Sequence, residues 1–229
     1  MKNKQIIIIG GGSSINEGIE KGLWDKLKGK VTFGLNYSYN YFKSTAQFYV
    51  DKAFYMDEMK KEKFKELPLI IGKYHKHMKV TKNTLMIPAC ATYDPSLKKG
   101  CYKASLCGIY ALSVACYLQP KEIFLLGYDY GGAKEDTDKR VITHFYQGKI
   151  EHRGIGKVNY YNCRGRGDRD YEPFVKAGHN NILNVSLDSK INIFTKISYD
   201  EFLNRLDDKH YSQIKLREKI RETLKTVVQ

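Results

Sequence analysis

The sequence lacks an apolar run that could cross a membrane or form the core of a signal peptide. Its run of isoleucines, Ile6–Ile9, is far shorter than the roughly 20 apolar residues that a spanning helix needs. We therefore expect no transmembrane segment and a cytoplasmic location. The isoleucines instead predict a buried β-strand, because β-branched side chains favour strands.

The sequence also lacks a CxxC pair, although it contains five cysteines. An odd number of thiols without paired spacing supports neither a disulfide framework nor a zinc site, so we expect reduced thiols and no metal site of this kind. Cys107 lies early in an apolar segment. We expect it to pack in the core rather than to act as a nucleophile.

Acidic residues are scarce relative to basic ones. The chain has 25 Asp and Glu against 39 Lys and Arg, which gives a formal charge of +14. Such an excess favours polyanionic partners, including nucleic acid, anionic lipid surfaces and phosphorylated substrates. A lysine-rich composition can also serve only to keep a protein soluble. The net charge therefore does not show whether the protein has a polyanionic partner.

Neither an internal repeat nor a low-complexity linker interrupts the sequence, and 42% of the residues are apolar. A chain of this composition can bury a substantial core, so general disorder is not expected. We expect one domain over residues 1–206 and a C-terminal helix over 207–229. That helix has Ile220, Leu224 and Val228 on one face, which could pack on the domain, pair with another copy of the chain or lie on a membrane.

Short apolar segments that end in glycine or polar residues predict an α/β fold with a parallel sheet. The expected strands are 5–9, 31–35, 47–50, 67–71, 84–87, 122–126 and 182–185. The expected helices are 15–28 (helix or turn), 52–65, 102–118 and 198–206. The small-residue helix over 102–118 and the strand after it form half of a βαβ unit. We therefore expect a Rossmann-like three-layer fold with a mainly parallel sheet, a long loop insertion and C-terminal helices.

Polar and glycine residues follow several of these strands. The first strand ends in Gly10-Gly11-Gly12-Ser13-Ser14, and Asn36, Asp51 and Asp129 follow three others. Ligands of parallel sheets bind outside the carboxyl ends of the strands, where these residues would meet. Glycines let backbone N–H groups approach a phosphate or a sugar, and Ser13 or Ser14 can cap a following helix. Because the turn is not GxGxxG and lacks the P-loop lysine, it predicts a nucleotide-like ligand without fixing its class.

Residues 131–169 show no convincing hydrophobic period, and a connection of this length is usually functional or disordered. We expect a lid or binding loop. His144 and His152 are candidate bases, the alternative being exposed histidines without a role. Arg164 and Arg166 alternate with glycine after two tyrosines. Arginine can clamp phosphates and tyrosine can stack on bases, so this segment suits a nucleotide-sugar diphosphate or a DNA backbone equally.

Several segments resemble the family 42 sialyltransferases and the related group typified by archaeal 6-hydroxymethylpterin diphosphokinase. Gly108-Ile109-Tyr110 and the segment KEIFLLGYDY over 121–130 are similar to the family's Ser-Gly-Val-Tyr, Lys-Glu-Ile-Tyr-Leu and Gly-Ile-Asp-Phe-Tyr. The turn after the first strand is similar to Gly-Asn-Gly-Pro-Ser, and 184–194 to the closing Pro-Asn-Ser segment. The resemblance spans most of residues 5–206. Gly11, Cys107 and Asp51 stand where the sialyltransferases have Asn, Ser and Asn.

The resemblance implies a Rossmann-like domain that binds a CMP-sugar without a metal, with a histidine as base and tyrosine hydroxyls on the leaving phosphate. Carried over to this chain, the nucleotide site would comprise Gly10, Gly11, Gly12, Ser13, Ser14, Asn36, Asp51, Ser105, Gly108 and Asp129. The base would be His144 or His152. The phosphate would be held by Tyr130 or Tyr146, with Arg164 and Arg166 nearby.

Three functions follow as hypotheses. The first is a glycosyltransferase that uses a CMP- or UDP-type donor and a glycan or a modified DNA base as acceptor. The second is a pyrophosphokinase of the hydroxymethylpterin type, which would need ATP and Mg²⁺ with Asp51 and Asp129 as metal ligands. The third is a non-catalytic nucleic-acid-binding module, whose binding would be sensitive to salt.

Overall fold

The computed structural model describes residues 1–76, 81–103, 106–130, 144–146 and 167–227. Within these residues one sheet contains β1 (Gln5–Ile9), β2 (Val31–Leu35), β3 (Ala46–Tyr49), β4 (Ile70–Lys73), β5 (Thr84–Ile87), β8 (Glu122–Leu126), β9 (Ile182–Val185) and β10 (Thr195–Lys196). A separate short pair is formed by β6 (Ala89–Cys90) and β7 (Cys101–Tyr102).

The helices of the described chain are short apart from three. They are α1 (Ile15–Glu20), α2 (Leu23–Lys26), α3 (Lys52–Glu58), α4 (Glu62–Lys65), α5 (Cys107–Tyr117), α6 (Gly167–Lys176), α7 (Tyr199–Arg205) and α8 (Gln213–Lys225). Among the described residues, no helix has the length and apolar character needed to cross a membrane.

The large sheet has the strand order β10-β9-β8-β1-β2-β3-β4-β5, and its neighbouring strands all pair in parallel. From β1 the chain runs outward to β5 on one side and then returns to β8 on the other side of β1. The order therefore reverses between β1 and β8. We call this position the strand switch, and it is where parallel α/β sheets bind ligands. In this register Ile9 lies beside Leu126, so the two turns that follow them are neighbours.

The isoleucine run forms β1 in the middle of the sheet, and helices cover both faces of that sheet. Ile6 and Ile8 belong to the core that contains α5 and α8, whereas Ile7 and Ile9 belong to the core that contains α1, α2 and α7. This division follows from the period of two along a strand. All four side chains are at most 1% exposed. Burying each contributes roughly 1.5–3 kcal/mol relative to exposure. The α/β, Rossmann-like, three-layer fold expected from the sequence is confirmed.

Some element bounds differ from those expected. The helix expected over 52–65 is divided into α3 and α4, and Phe64 packs against Tyr39 and Tyr55. The helix expected over 102–118 begins only at Cys107, because Tyr102 pairs in β7 and the backbones of Lys103 and Leu106 are not helical.

Two further differences concern the loop insertion and the C-terminal segment. Helix α6 begins at Gly167, so the end of the lid expected over 131–169 is helical. The C-terminal helix begins at Gln213, and its Leu216, Ile220 and Leu224 are buried in the main core. The described part of this helix therefore packs on the domain, and Val228 lies outside the described residues.

Candidate functional site

The glycine turn after β1 is bound to the turn after β8. The N–H groups of Gly10 and Gly12 donate to the carbonyl oxygens of Leu126 and Gly127 at 2.8 and 2.9 Å. A Cβ atom at Gly10 would lie 2.7 Å from the Gly127 oxygen, so only glycine permits this approach. Both glycines thus have a structural reason to be present, and their N–H groups are engaged by the neighbouring turn rather than directed at a phosphate.

Asp129 ties the β8 turn to the start of α1. Its carboxylate accepts the backbone N–H of Ser14 at 2.8 Å, the Ser14 hydroxyl, and the Ser13 hydroxyl at 3.4 Å. The residue is 7% exposed, and these donors compensate for the burial of its charge. Neither serine forms a side-chain cap on α1. The serines expected to cap the helix therefore bind Asp129 instead, and they fix the geometry of the strand switch.

His144 and Tyr146 lie against the same turn. The Phe145 N–H donates to the Gly11 carbonyl oxygen at 2.8 Å, which anchors the segment 144–146. A Cβ atom at Gly11 would lie 2.5 Å from Cδ2 of His144 and 3.0 Å from the Tyr146 hydroxyl oxygen. The two rings stack with centroids 5.0 Å apart. The volume that a side chain at residue 11 would fill is therefore taken by an imidazole and a phenol.

Tyr146 is buried, whereas His144 is partly exposed. Tyr146 is 2% exposed, and burial followed by the neighbouring Tyr37 raises its pKa above the ordinary value. Its hydroxyl thus remains protonated and can donate a hydrogen bond. His144 is partly exposed beside the turn that follows β1. It is the candidate base that the structure describes beside the turn.

Asn36 contacts the start of α5, where Gly108 lies. Asn36 adopts a left-handed backbone with φ 48°, and its carbonyl oxygen accepts a hydrogen bond from Gln47 at 2.8 Å. The Asn36 N–H also reaches the Cys107 thiol, whose pKa burial raises to about 12. That thiol is a packing group rather than a nucleophile. The Gly108 carbonyl oxygen accepts the Tyr128 hydroxyl at 3.1 Å, which fixes the start of α5.

Two expected site residues are engaged elsewhere. Asp51 caps α3, where its carboxylate accepts the N–H groups of Ala53 and Phe54 at 2.7 and 3.2 Å. Strands β1 and β2 separate β3 from β8, so about three strand spacings, roughly 14 Å, lie between Asp51 and Asp129. The structure therefore does not bring Asp51 together with Asp129. The second residue is Tyr130, whose hydroxyl oxygen lies 2.9 Å from that of Tyr171.

The remaining expectations concern metals and the rest of the loop insertion. Within the described ranges, no group of three or more His, Cys, Asp or Glu side chains is arranged to hold a metal ion. Ser105, His152, Arg164 and Arg166 lie outside the described residues.

A polar cavity beside Asp129 contains residues that the sequence analysis did not single out. Its volume is about 390 Å³, and it lies at the carboxyl ends of β1, β8, β9 and β10. The lining residues include Ser186, Asp188, Ser198 and Tyr199. Tyr199 follows the residue that caps α7 and has the spacing of an ordinary core position, so the sequence carries no signal that it faces a cavity.

Comparisons of the chain with protein-family models, with curated proteins and with solved structures find no match. Function is therefore inferred from the geometry of the site.

Proposed function

We propose that this protein is a nucleotide-sugar-dependent glycosyltransferase whose donor binds at the strand switch between β1 and β8. The observation that carries the proposal is the position of His144 and Tyr146 against Gly11. A partly exposed imidazole and a protonated hydroxyl are thereby placed at the edge where parallel sheets bind ligands. Asn36 and the start of α5 border the same edge, and both follow the order of the sialyltransferase-like segments.

In the proposed reaction His144 removes the proton of an acceptor hydroxyl. The acceptor oxygen then bonds to the anomeric carbon of the donor sugar, while the bond from that carbon to the phosphate oxygen breaks. The nucleotide leaves with that electron pair. Tyr146 donates a hydrogen bond to the phosphate oxygen on which negative charge develops. Positioning of donor and acceptor supplies most of the remaining rate enhancement.

The proposed donor site uses no protein-bound divalent cation. Asp129 has both carboxylate oxygens engaged by Ser13 and Ser14, and Asp51 caps a helix. The pyrophosphokinase hypothesis needs these two carboxylates as joint ligands of Mg²⁺, which their separation in the sheet disfavours. The nucleic-acid-binding hypothesis draws on the net charge of +14, and it predicts salt-sensitive oligonucleotide binding without turnover.

The test is nucleotide release from CMP- and UDP-sugars, followed by mass spectrometry in the presence of EDTA. We expect slow release by the wild-type protein that candidate acceptors accelerate. His144→Asn should reduce turnover by about 10²–10⁴-fold, because a general base contributes that much, and should leave nucleotide affinity unchanged. His210→Asn is the matched control, since His210 is exposed and lies in the segment between α7 and α8. Turnover that survives in His144→Asn would refute the assigned base.

A further inference from the structure

A second cavity, which we call the aromatic cavity, lies beside α2 and the start of β2. Its volume of about 460 Å³ lies within the range of about 300–1,000 Å³ that is typical of small-molecule pockets. Trp24, Tyr41 and Phe42 line it, and all three are partly exposed. The rings of Trp24 and Phe42 stack with centroids 5.6 Å apart and an interplanar angle of 20°. This pair offers a flat apolar surface on which an aromatic ligand can stack.

The aromatic rings are supported from their buried side. Phe145 is 2% exposed, and its ring centroid lies 5.0 Å from that of Tyr41 and 6.1 Å from that of Trp24. Rings that are already fixed lose little conformational freedom when a ligand stacks on them, which favours binding.

Lysines border the aromatic cavity. Lys43 is an exposed lining residue that forms no ion pair within the part of the chain that the structure describes. Lys28 pairs with Asp25 at 2.6 Å, but the two side chains are 71% and 80% exposed, so this pair is weak and can open for a ligand. Lys30 is instead engaged by a carbonyl and a carboxylate oxygen of Asp207. Lys43 and Lys28 are therefore the cations that an anionic ligand can reach.

The segment between α7 and α8 joins the aromatic cavity to further lysines. Tyr211 in this segment donates its backbone N–H to the carbonyl oxygen of Gly29, a lining residue of the cavity, at 2.8 Å. The Nζ atom of Lys4 lies over the Tyr211 ring, 3.5 Å from its centroid. Tyr211 therefore contacts both the wall of the cavity and Lys4.

Lys4 belongs to a group of like charges. Burial, and then the charges of Lys219 and Lys209, lower the pKa of Lys4, whereas Asp207 raises it. Lys209 and Lys219 are exposed, and Asp207 also compensates Lys30. One carboxylate thus faces several lysines. Neighbouring cations of this kind attract counterions, and the successive phosphates of a nucleic acid can replace those counterions.

We propose that the aromatic cavity and the lysines beside it bind single-stranded nucleic acid. An unpaired base stacks on Trp24 and Phe42, and its phosphate lies at Lys43. The next phosphates along the strand lie at the lysines around Lys4. A base inside a duplex cannot enter, because its neighbours cover both of its faces. The proposal holds whether or not the chain is a transferase, since none of the described lining residues belongs to the turn after β1 or the turn after β8.

Trp24 is the only tryptophan of the chain, so its fluorescence reports on the aromatic cavity. The test is titration of the full chain with oligothymidylate and oligouridylate of about 20 nucleotides, a length that exceeds the site of one small binding domain. We expect at least one of them to quench Trp24, and the tighter of the two shows whether DNA or RNA is preferred. A duplex of the same length and free thymidine monophosphate should quench far less.

Three results would overturn the proposal. The first is the absence of oligonucleotide binding at low salt. The second is quenching by the duplex or by the mononucleotide that equals quenching by the oligonucleotides. The third is binding to phosphatidylserine vesicles without binding to either oligonucleotide, because an anionic lipid surface would need the lysines alone.

Lys43→Ala tests the phosphate contact without disturbing the fold, because Lys43 is exposed. Each phosphate contact to a single strand contributes about 0.7 to the slope of log K against log salt, which is about fivefold in affinity at roughly 0.1 M salt. We expect both losses in Lys43→Ala. Lys98→Ala is the matched control, since Lys98 is exposed between β6 and β7 and does not line the cavity. Equal effects of the two substitutions would overturn the assignment.

Phe42→Leu tests the stacking surface and keeps Trp24 as the reporter. Removing an aromatic ring on which a base stacks should weaken binding by about 5–150-fold. Phe42→Tyr keeps a ring and should bind like the wild type. A thermal unfolding curve shows whether each variant is folded. Wild-type affinity in folded Phe42→Leu would overturn the role of the aromatic pair, and the Lys43→Ala result remains decisive if that variant does not fold.

The two proposals fail differently in these experiments. Saturating CMP should leave oligonucleotide binding unchanged, because the proposed donor site lies at the strand switch, and competition between the two ligands would overturn the separate site. Donor binding without oligonucleotide binding would refute the nucleic-acid site and leave the transferase proposal standing. Oligonucleotide binding that depends on Lys43 in a protein that binds no donor would refute the transferase and retain the nucleic-acid site.

Discussion

The imidazole of His144 packs directly against the α-carbon of Gly11, and a Cβ atom at that glycine would lie 2.5 Å from the His144 Cδ2 atom. This contact explains why the middle residue of the turn is glycine where the sialyltransferase-like pattern has asparagine. Any side chain at residue 11 would displace the candidate base. The position of His144 thus depends on glycine at residue 11.

Gly11→Ala should therefore reduce the proposed transferase activity about 10²-fold, because a displacement of about 1 Å at a catalytic group costs that much. The fold should persist, since the clash is with a side chain at the edge of the sheet. The measurement is turnover of the donor together with a thermal unfolding curve. Gly22→Ala is the control. No atom lies within 4 Å of its Cβ position, but its φ of 75° should cost about 1–2 kcal/mol of stability without affecting turnover. Full activity in Gly11→Ala would contradict the role of the contact.

Asp51, one of the two carboxylates that the pyrophosphokinase hypothesis needs, should affect stability rather than nucleotide binding. Asp51→Ala should lower the free energy of unfolding by about 0.5–2 kcal/mol, because it removes the cap of α3. Asp51→Asn should retain most of that stability, since asparagine also caps helices. Neither change should alter nucleotide affinity, as measured by titration calorimetry with and without Mg²⁺. A loss of Mg²⁺-dependent ATP binding in Asp51→Asn would favour the pyrophosphokinase hypothesis over the transferase.

Asp129→Asn should weaken both stability and ligand binding. The carboxylate accepts charge-assisted hydrogen bonds from Ser13 and Ser14, and losing the charge should cost about 1.5–3 kcal/mol. Because the same contact fixes the turn that contains Gly11, nucleotide affinity should fall as well. Chemical denaturation and calorimetry on one preparation test both effects. Unchanged affinity in a destabilised variant would separate the Asp129 contact from the donor site.

His179 predicts a pH dependence of stability. Burial lowers its pKa below the ordinary value of 6.5, and its Nε2 atom lies 2.6 Å from the Tyr93 hydroxyl oxygen. The unfolded chain therefore binds a proton more readily than the folded chain does, so stability falls as the pH drops below 6.5. The free energy of unfolding of His179→Gln should fall less between pH 7.5 and pH 5 than that of the wild type. An identical decrease in both proteins would show that His179 does not contribute.

Much of the fold was predictable because its strands carry strong local signals. The bounds of β1, β2, β5, β8 and β9 agree with those expected, since β-branched or apolar runs end there at glycine, proline or polar residues. Helix α6 was missed because its sequence is polar, begins at glycine and contains Pro173. Its stability comes from burying Tyr171 and Phe174 against the core, which is a tertiary effect.

The site was less predictable because its contacts join distant parts of the chain. The sequence places Gly11, Asp129 and His144 in separate segments, and only the parallel pairing of β1 with β8 brings the first two segments together. Asp51 was expected at a ligand, but it serves as a helix cap, a role that the same residue type fills equally well. Tyr199 carried no signal, because the lining of a cavity is visible only once the neighbouring elements are placed.

The central claim is that a nucleotide binds at the strand switch without a protein-bound metal. A thermal-shift screen with CMP, CDP, UDP, GDP, ATP and their common sugar conjugates, each with and without Mg²⁺, tests it most directly. A ligand at a hundredfold excess over its Kd adds about 2.7 kcal/mol, and each kcal/mol raises the unfolding temperature by about 2–4 °C in a chain of this size. We expect such a shift with a CMP- or UDP-type ligand in the absence of Mg²⁺. A shift with ATP and Mg²⁺ alone, or no shift with any nucleotide, would contradict the claim.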